Sequence, residues 1–150
     1  MTDGKLQEDY AKLAYQIRLY RKQLTLLQRE IEKITLTSMD LSNSIKAIDE
    51  LEKGEALIPI GGGSYVRGDV SEEDVLVAVG GGYLLEMDSE SAKKKTEKRV
   101  DATKNAVKKL TQEFSKISSK LETVTMQLKE LENKILIGRR VEEEASDDYR

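Results

Sequence analysis

"PIGGGSYV" at residues 59–66 and "AVGGGYLL" at residues 78–85 are two glycine triplets, each behind an apolar run and just ahead of a tyrosine. Such a triplet can be a phosphate-binding loop or a chain reversal. A phosphate loop opens a helix N-terminus and usually carries Lys and Ser or Thr behind its glycines. Neither triplet is followed by Gly-Lys-Ser/Thr, and both run on into β-rich sequence. The triplets therefore predict three-residue hairpin loops, where glycine supplies the left-handed backbone of a tight turn. "ALIPI" (56–60), "SYVRG" (64–68), "VLVAV" (75–79) and "YLLEM" (83–87) are the four strands expected, with "DVSEEDV" (69–75) as the polar link between hairpins. Pro59 cannot donate to a ladder, so it is expected at a strand start or facing an outer edge.

The flanks obey a different period. Eight of the ten glycines and the single proline fall between Gly54 and Gly82, while residues 5–53 and 83–137 contain neither type outside that window. In the first flank Leu6, Tyr10, Leu13, Ile17, Tyr20, Leu24, Leu27, Ile31, Ile34, Ser38, Leu41, Ile45 and Ile48 follow strict 4,3 spacing. In the second, Val100, Thr103, Val107, Leu110, Phe114, Ile117, Leu121, Val124, Leu128, Leu131 and Ile135 do the same. This is the 3.5-residue repeat of a coiled-coil seam. Helices are expected over 5–53 and 89–137, capped by Asp88 or Ser89 at the start of the second and stopped by Gly54 and Gly138. Folding the two seams together antiparallel sets Ile45 against Val100, Ile31 against Phe114, Leu24 against Leu121 and Tyr10 against Ile135. The fold class that follows is mainly α with small β: a long antiparallel two-helix coiled coil joined by two β-hairpins, forming one domain.

Composition removes several kinds of chemistry. The chain has 150 residues, 35% of them charged and 5% aromatic, with a net charge of −3 and neither cysteine nor histidine. Disulfides, thiolate or imidazole metal ligands and Cys–His or Ser–His nucleophiles are therefore excluded. No cofactor is expected and no enzymatic activity. No apolar run approaches the roughly 20 residues of a membrane span, and residues 1–10 have no apolar signal core, so a cytoplasmic protein is expected. "KKKTEKR" (93–99) lacks interleaved aromatics and reads as a solvated helix face rather than a nucleic-acid site. The acidic run "EEEASDD" (142–148) lies in a stretch, 138–150, expected to be disordered.

"VLVAV" is apolar at every position, and such a strand expects cover on both faces. The coiled-coil seam is already occupied, so the hairpins are expected to be completed by other chains. At this point "LIPIGGGSYVRG" (57–68) and "VLVAVGGGYLLE" (75–86), set between two helices, strongly resemble the α-class subunit of prefoldin. The likeness covers about residues 5–137; β-class subunits carry a single hairpin. The family more often has Ala or Ser inside each G-x-G, so the all-glycine triplets are a departure that bears on turn flexibility. The resemblance implies an ATP-independent chaperone in a heterohexamer of two α-class and four β-class subunits. Its hairpins would assemble into a β-barrel platform over residues 56–86. Its coiled-coil tips would hold unfolded polypeptide clients for transfer to a group II chaperonin.

Assembly is then expected through Leu57, Ile58, Ile60, Tyr65 and Val66 in the first hairpin, and Val75, Val77, Val79, Tyr83 and Leu85 in the second. Client binding is expected at Leu6, Tyr10 and Leu13 beside Leu131, Ile135, Leu136 and Ile137, the last two lying off the seam. Neither nucleic acid nor membrane is expected as a partner. The competing reading is a non-chaperone coiled-coil scaffold or tethering subunit, which has no need to interrupt its rod with an assembling sheet.

Overall fold

The computed structural model describes residues 2–71 and 73–149. The element order is α1 (Thr2–Asp49), β1 (Gly54–Gly61), β2 (Ser64–Val70), β3 (Val75–Gly80), β4 (Tyr83–Met87) and α2 (Ser89–Asp147). The chain divides into two compact units: residues 33–107, and residues 1–32 with 108–150.

The 33–107 unit holds both hairpins. β1 pairs antiparallel with β2, and β3 with β4, as two separate two-stranded sheets. The turns are tighter than the expected three-residue loops. Gly61 pairs with Ser64 and Gly80 with Tyr83, so only Gly62–Gly63 and Gly81–Gly82 turn the corners. Their φ values, 60° and 76° in one and 61° and 79° in the other, are both positive at both central residues. That is the signature of the primed hairpin turn, whose twist matches its strands. The leading glycines, at φ 101° and 108°, sit where each ladder slips by one residue, leaving Ile60 and Val79 as the extra residues. A triplet is thus a bulge followed by a two-residue turn. Gly68 has a different reason to be small: a Cβ there would come within 2.7 Å of Ile58 Cδ1.

The last turns of α1 leave the helix early. Glu50 N–H donates to Lys46 O at 3.1 Å and Leu51 N–H to Ile48 O at 3.3 Å, tightening the end before any glycine is reached. Gly54 is therefore the first residue of β1, at φ 124°, and not the helix stop. The start of α2 is capped by Asp88, whose Oδ1 accepts the Ser91 N–H at 2.6 Å. Hydrogen bonds from the Ser91 side chain and then its backbone N–H hold the Asp88 carboxyl below the ordinary carboxylate range. Ser89 does other work: its hydroxyl donates to Glu73 O at 2.8 Å and ties the inter-hairpin link to the helix start. Lys93 and Asp49 close the same end with a 2.8 Å ion pair, which raises the lysine pKa.

In the second unit the seam positions Leu13, Leu24 and Leu27 of α1 and Leu110, Leu121, Leu128 and Leu131 of α2 are half-buried, and Ile17 and Val124 are buried. Each such side chain contributes about 1.5–3 kcal/mol when fully buried. Tyr10 Oη donates to Glu132 at 3.3 Å, and Tyr10 shares a groove with Ile135, the partner that the antiparallel arithmetic gave it. α2 does not stop at Gly138. It runs to Asp147, so all but the last residue of the acidic run is helical and residues 138–147 are not the disordered stretch expected. A lone glycine costs only about 1 kcal/mol inside a helix, and no proline follows to enforce a stop. Arg139 and Arg140 also lie one turn before Glu143 and Glu144, which offsets part of the acidic repulsion.

Among the described residues, no helix is long and apolar enough to cross a membrane.

Candidate functional site

The surface of the hairpin unit is apolar where a self-sufficient sheet would be polar. In the first hairpin Leu57, Ile58, Ile60, Tyr65 and Val66 are all exposed. In the second, Val79, Tyr83 and Leu85 are exposed as well. These eight of the ten residues expected to assemble are therefore open. Val77 is the exception at 8% exposure, with Val75 half-buried. The expectation that Val77 needs another chain is corrected here, because its own chain covers it. It lines a groove of about 380 Å³ with Leu41, Ile48 and Leu51, the end of α1 and the segment after it. Thr96 and Arg99 of α2 complete the wall. Thr96 is buried without penalty, since its hydroxyl donates to Ala92 O at 2.8 Å.

Strand alternation assigns the faces. Val75 and Val77 pair with Met87 and Leu85 and share one face; Leu76 and Ala78 pair with Glu86 and Leu84 on the other. Leu76 and Leu84, 61% and 60% exposed, are the large apolar residues on that second face, and Leu76 also borders the Val77 groove. Neither is among the ten residues expected to assemble, although simple alternation from Val75 and Val77 points to both. The two tyrosines after the triplets are not equivalents: Tyr65 pairs with Pro59, whereas Tyr83 pairs with Gly80 at the turn.

The helix ends in the 1–32/108–150 unit form the second candidate surface. Leu6, Leu13, Leu131 and Ile135 are half-buried in the seam and Tyr10 is at the border of exposure, 37%. Leu136 and Ile137 are exposed, at 55% and 61%. Gln7, Tyr10, Glu132, Ile135, Leu136 and Arg139 line an open groove of about 450 Å³. The structure thus brings Tyr10 together with Ile135 and Leu136, and Leu13 with Leu131 in a neighbouring groove. It offers an apolar floor with charged sides and no arrangement of paired catalytic groups among them.

Two helices with matched seams, interrupted by a pair of hairpins whose apolar residues stay open, define a coiled-coil chain built to join an assembly. The prefoldin subunit family model matches residues 20–134. The chain belongs to the prefoldin family. It is 28% identical over 134 residues to prefoldin subunit alpha of Pyrococcus horikoshii, covering 85% of this chain and 90% of that protein. It is 31% identical over 113 residues to prefoldin subunit alpha of Methanococcus vannielii, covering 69% and 77%. Among solved structures it is similar to a chain of filamentous PFD from Methanocaldococcus jannaschii, determined by cryo-EM. The TM-score is 0.64 at 25% identity, over 76% of this chain and 98% of that one. Prefoldin subunits are chaperones, and this chain is a chaperone-type subunit that assembles with other prefoldin subunits.

Proposed function

We propose that this chain is the α-class subunit of an ATP-independent holdase that captures unfolded polypeptides at its helix ends and passes them to a group II chaperonin. Its partners are β-class prefoldin subunits in a heterohexamer of two α and four β chains, acting in the cytoplasm. The hairpins of the six chains close into a β-barrel platform. The observation that carries this reading is the exposure of ten large apolar hairpin residues, left open by the described elements of the chain. An unpaired sheet edge with an apolar face is an aggregation liability unless a partner strand completes it.

Capture follows from the helix ends. Leu136 and Ile137 are open, and the first turns of α1 lack hydrogen-bond partners on one side, so Leu6 and Tyr10 detach at low cost and uncover the half-buried Leu13, Leu131 and Ile135. Each contact is weak, about 1.5–3 kcal/mol per side chain at full burial. Several subunits engaging one client raise the effective affinity and still permit release.

Light scattering of an unfolded client tests the proposal. The complex of the full chain with β-class partners should suppress aggregation equally with ATP, without ATP and with a chelator. Removing residues 1–13 and 129–150, with matching trims on the partners, should leave native mass intact and abolish protection. A strict ATP requirement, or full protection by the trimmed complex, contradicts this reading.

A further inference from the structure

α1 has a second stripe, away from its seam. Tyr15, Leu19 and Leu26 are 57%, 40% and 53% exposed, although their neighbours Leu13, Ile17 and Leu24 pack in the seam. With exposed Lys22 they form a 4,3,4 run along one helix face, the spacing at which side chains line up. Arg18 and Arg29 flank it and are exposed. The stripe is apolar and basic.

The end of α2 carries the opposite charge on the same spacing. Ile137 and Val141, 61% and 59% exposed, are followed at 3 and 4 residues by the exposed acids Glu144 and Asp148. Among the described residues no ion pair engages these acids or Lys22. Because Tyr10 lies beside Ile135, the turns beyond Glu143 run past the start of α1 with no helix of their own chain alongside. They cannot reach their own Tyr15 stripe, since α2 carries them past the start of α1 and away from it.

A second copy can reach it. Laid parallel to α1, Ile137 meets Tyr15, Val141 meets Leu19 and Glu144 meets Lys22, while Asp148 falls beside Leu26 within a turn of Arg29. The antiparallel order instead sets Val141 on Lys22, Glu144 on Leu19 and Asp148 on Tyr15, so neither acid meets a base directly. Since α1 and α2 run opposite ways within a chain, the parallel order reverses the second copy, and the contact is then reciprocal, as a two-fold interface requires. We propose that the Ile137–Asp148 turns of one copy dock on the Tyr15–Leu26 face of α1 in a second, reversed copy, which returns the same contact. Docking covers Ile137 and so shields part of the end surface until it is displaced.

The absence of cysteine makes the test direct. Full-length Leu19→Cys and Val141→Cys chains are mixed and treated with a short bismaleimide, alone and assembled with β-class subunits. Leu26→Cys with Ile137→Cys, which face each other only in the antiparallel order, is the control. All four sites are exposed, and far-UV dichroism checks each variant. The expected result is several-fold more cross-linked heterodimer for the first pair. It should fall with Lys22→Glu and return when the other copy carries Glu144→Lys. Equal coupling of both pairs, preference for the control, coupling indifferent to the charge swap, or coupling seen only with an unfolded polypeptide present would each overturn the proposal.

Discussion

The two hairpins share one design and differ in one residue's surroundings. Ile58 of the first and Val77 of the second occupy matching places before their triplets, paired with Val66 and Leu85. Ile58 is 51% exposed and Val77 only 8%. The second hairpin is anchored on the helices of its own chain, through Leu41, Ile48 and Leu51, whereas the first has no residue so buried. On the partner strands the two are alike, with Val66 and Leu85 exposed at 48% and 51%. One repeated motif therefore serves two ends. Its inward face in the second copy fixes that hairpin to the chain's own helices, and its other faces stay open.

The sharpest way to break this contrast is a charge at the matching positions. Val77→Asp buries a carboxylate in an apolar groove, which costs several kcal/mol unless it protonates or the hairpin lifts away. Thermal unfolding of the free chain should show a large loss for Val77→Asp and a change near zero for Ile58→Asp. Equal losses at both positions would erase the distinction.

The turns give a smaller effect and sharpen the bulge-plus-turn reading. Gly81→Ala places a Cβ at φ 61°, where an L-residue costs about 1–2 kcal/mol. The new methyl also lies 3.4 Å from the Tyr83 ring. Gly62→Ala meets the same backbone strain in open space, so it should destabilise no more than Gly81→Ala. Urea denaturation of both chains measures the order.

The smallest effects lie at the helix end that receives the second hairpin. Asp88→Ala should speed hydrogen exchange at the Ser91 amide and leave the rest of α2 unchanged. The pH dependence has a definite sign. The Asp88 carboxyl is held below its ordinary range, so its stabilisation is present above the unfolded carboxylate pKa and is lost as pH falls through the lowered folded value. The Lys93 pKa is raised by hydrogen bonding to Asp49, so its stabilisation is complete below the ordinary lysine pKa and disappears as pH rises through the raised value. Ser91 amide exchange on the acid side and Lys93 side-chain NMR on the basic side follow the two.

Most of the fold was legible because two periods do not overlap. The 4,3 spacing from Leu6 to Ile48 and from Val100 to Ile135 admits one seam, and nearly all of those positions are shielded. β-rich runs bounded by glycine placed the strands within two residues at each end, from "ALIPI" to Gly54–Gly61 for instance. What escaped has physical causes. Spacing does not separate a three-residue loop from a bulge with a two-residue turn, since both need positive φ at the triplet. A glycine such as Gly138 stops a helix only where the chain gains by turning away, and nothing beyond it does so. The run "VLVAV" announces that cover is needed and is silent on which chain supplies it, so sequence alone does not separate Val77, covered by its own chain, from Leu76 and Leu84, which stay exposed. The Tyr15 stripe was hidden by the stronger seam beside it.

Native mass is the most direct test of the central claim that the open hairpin faces carry assembly. Leu57→Asp and Leu84→Asp change an exposed residue of each hairpin, 65% and 60% open, and neither residue lines the Val77 groove. Combined in the full-length chain and mixed with β-class partners, they should lower the native mass toward that of single chains while far-UV helicity is kept. A complex of undiminished mass, with helicity equally intact, would contradict the account.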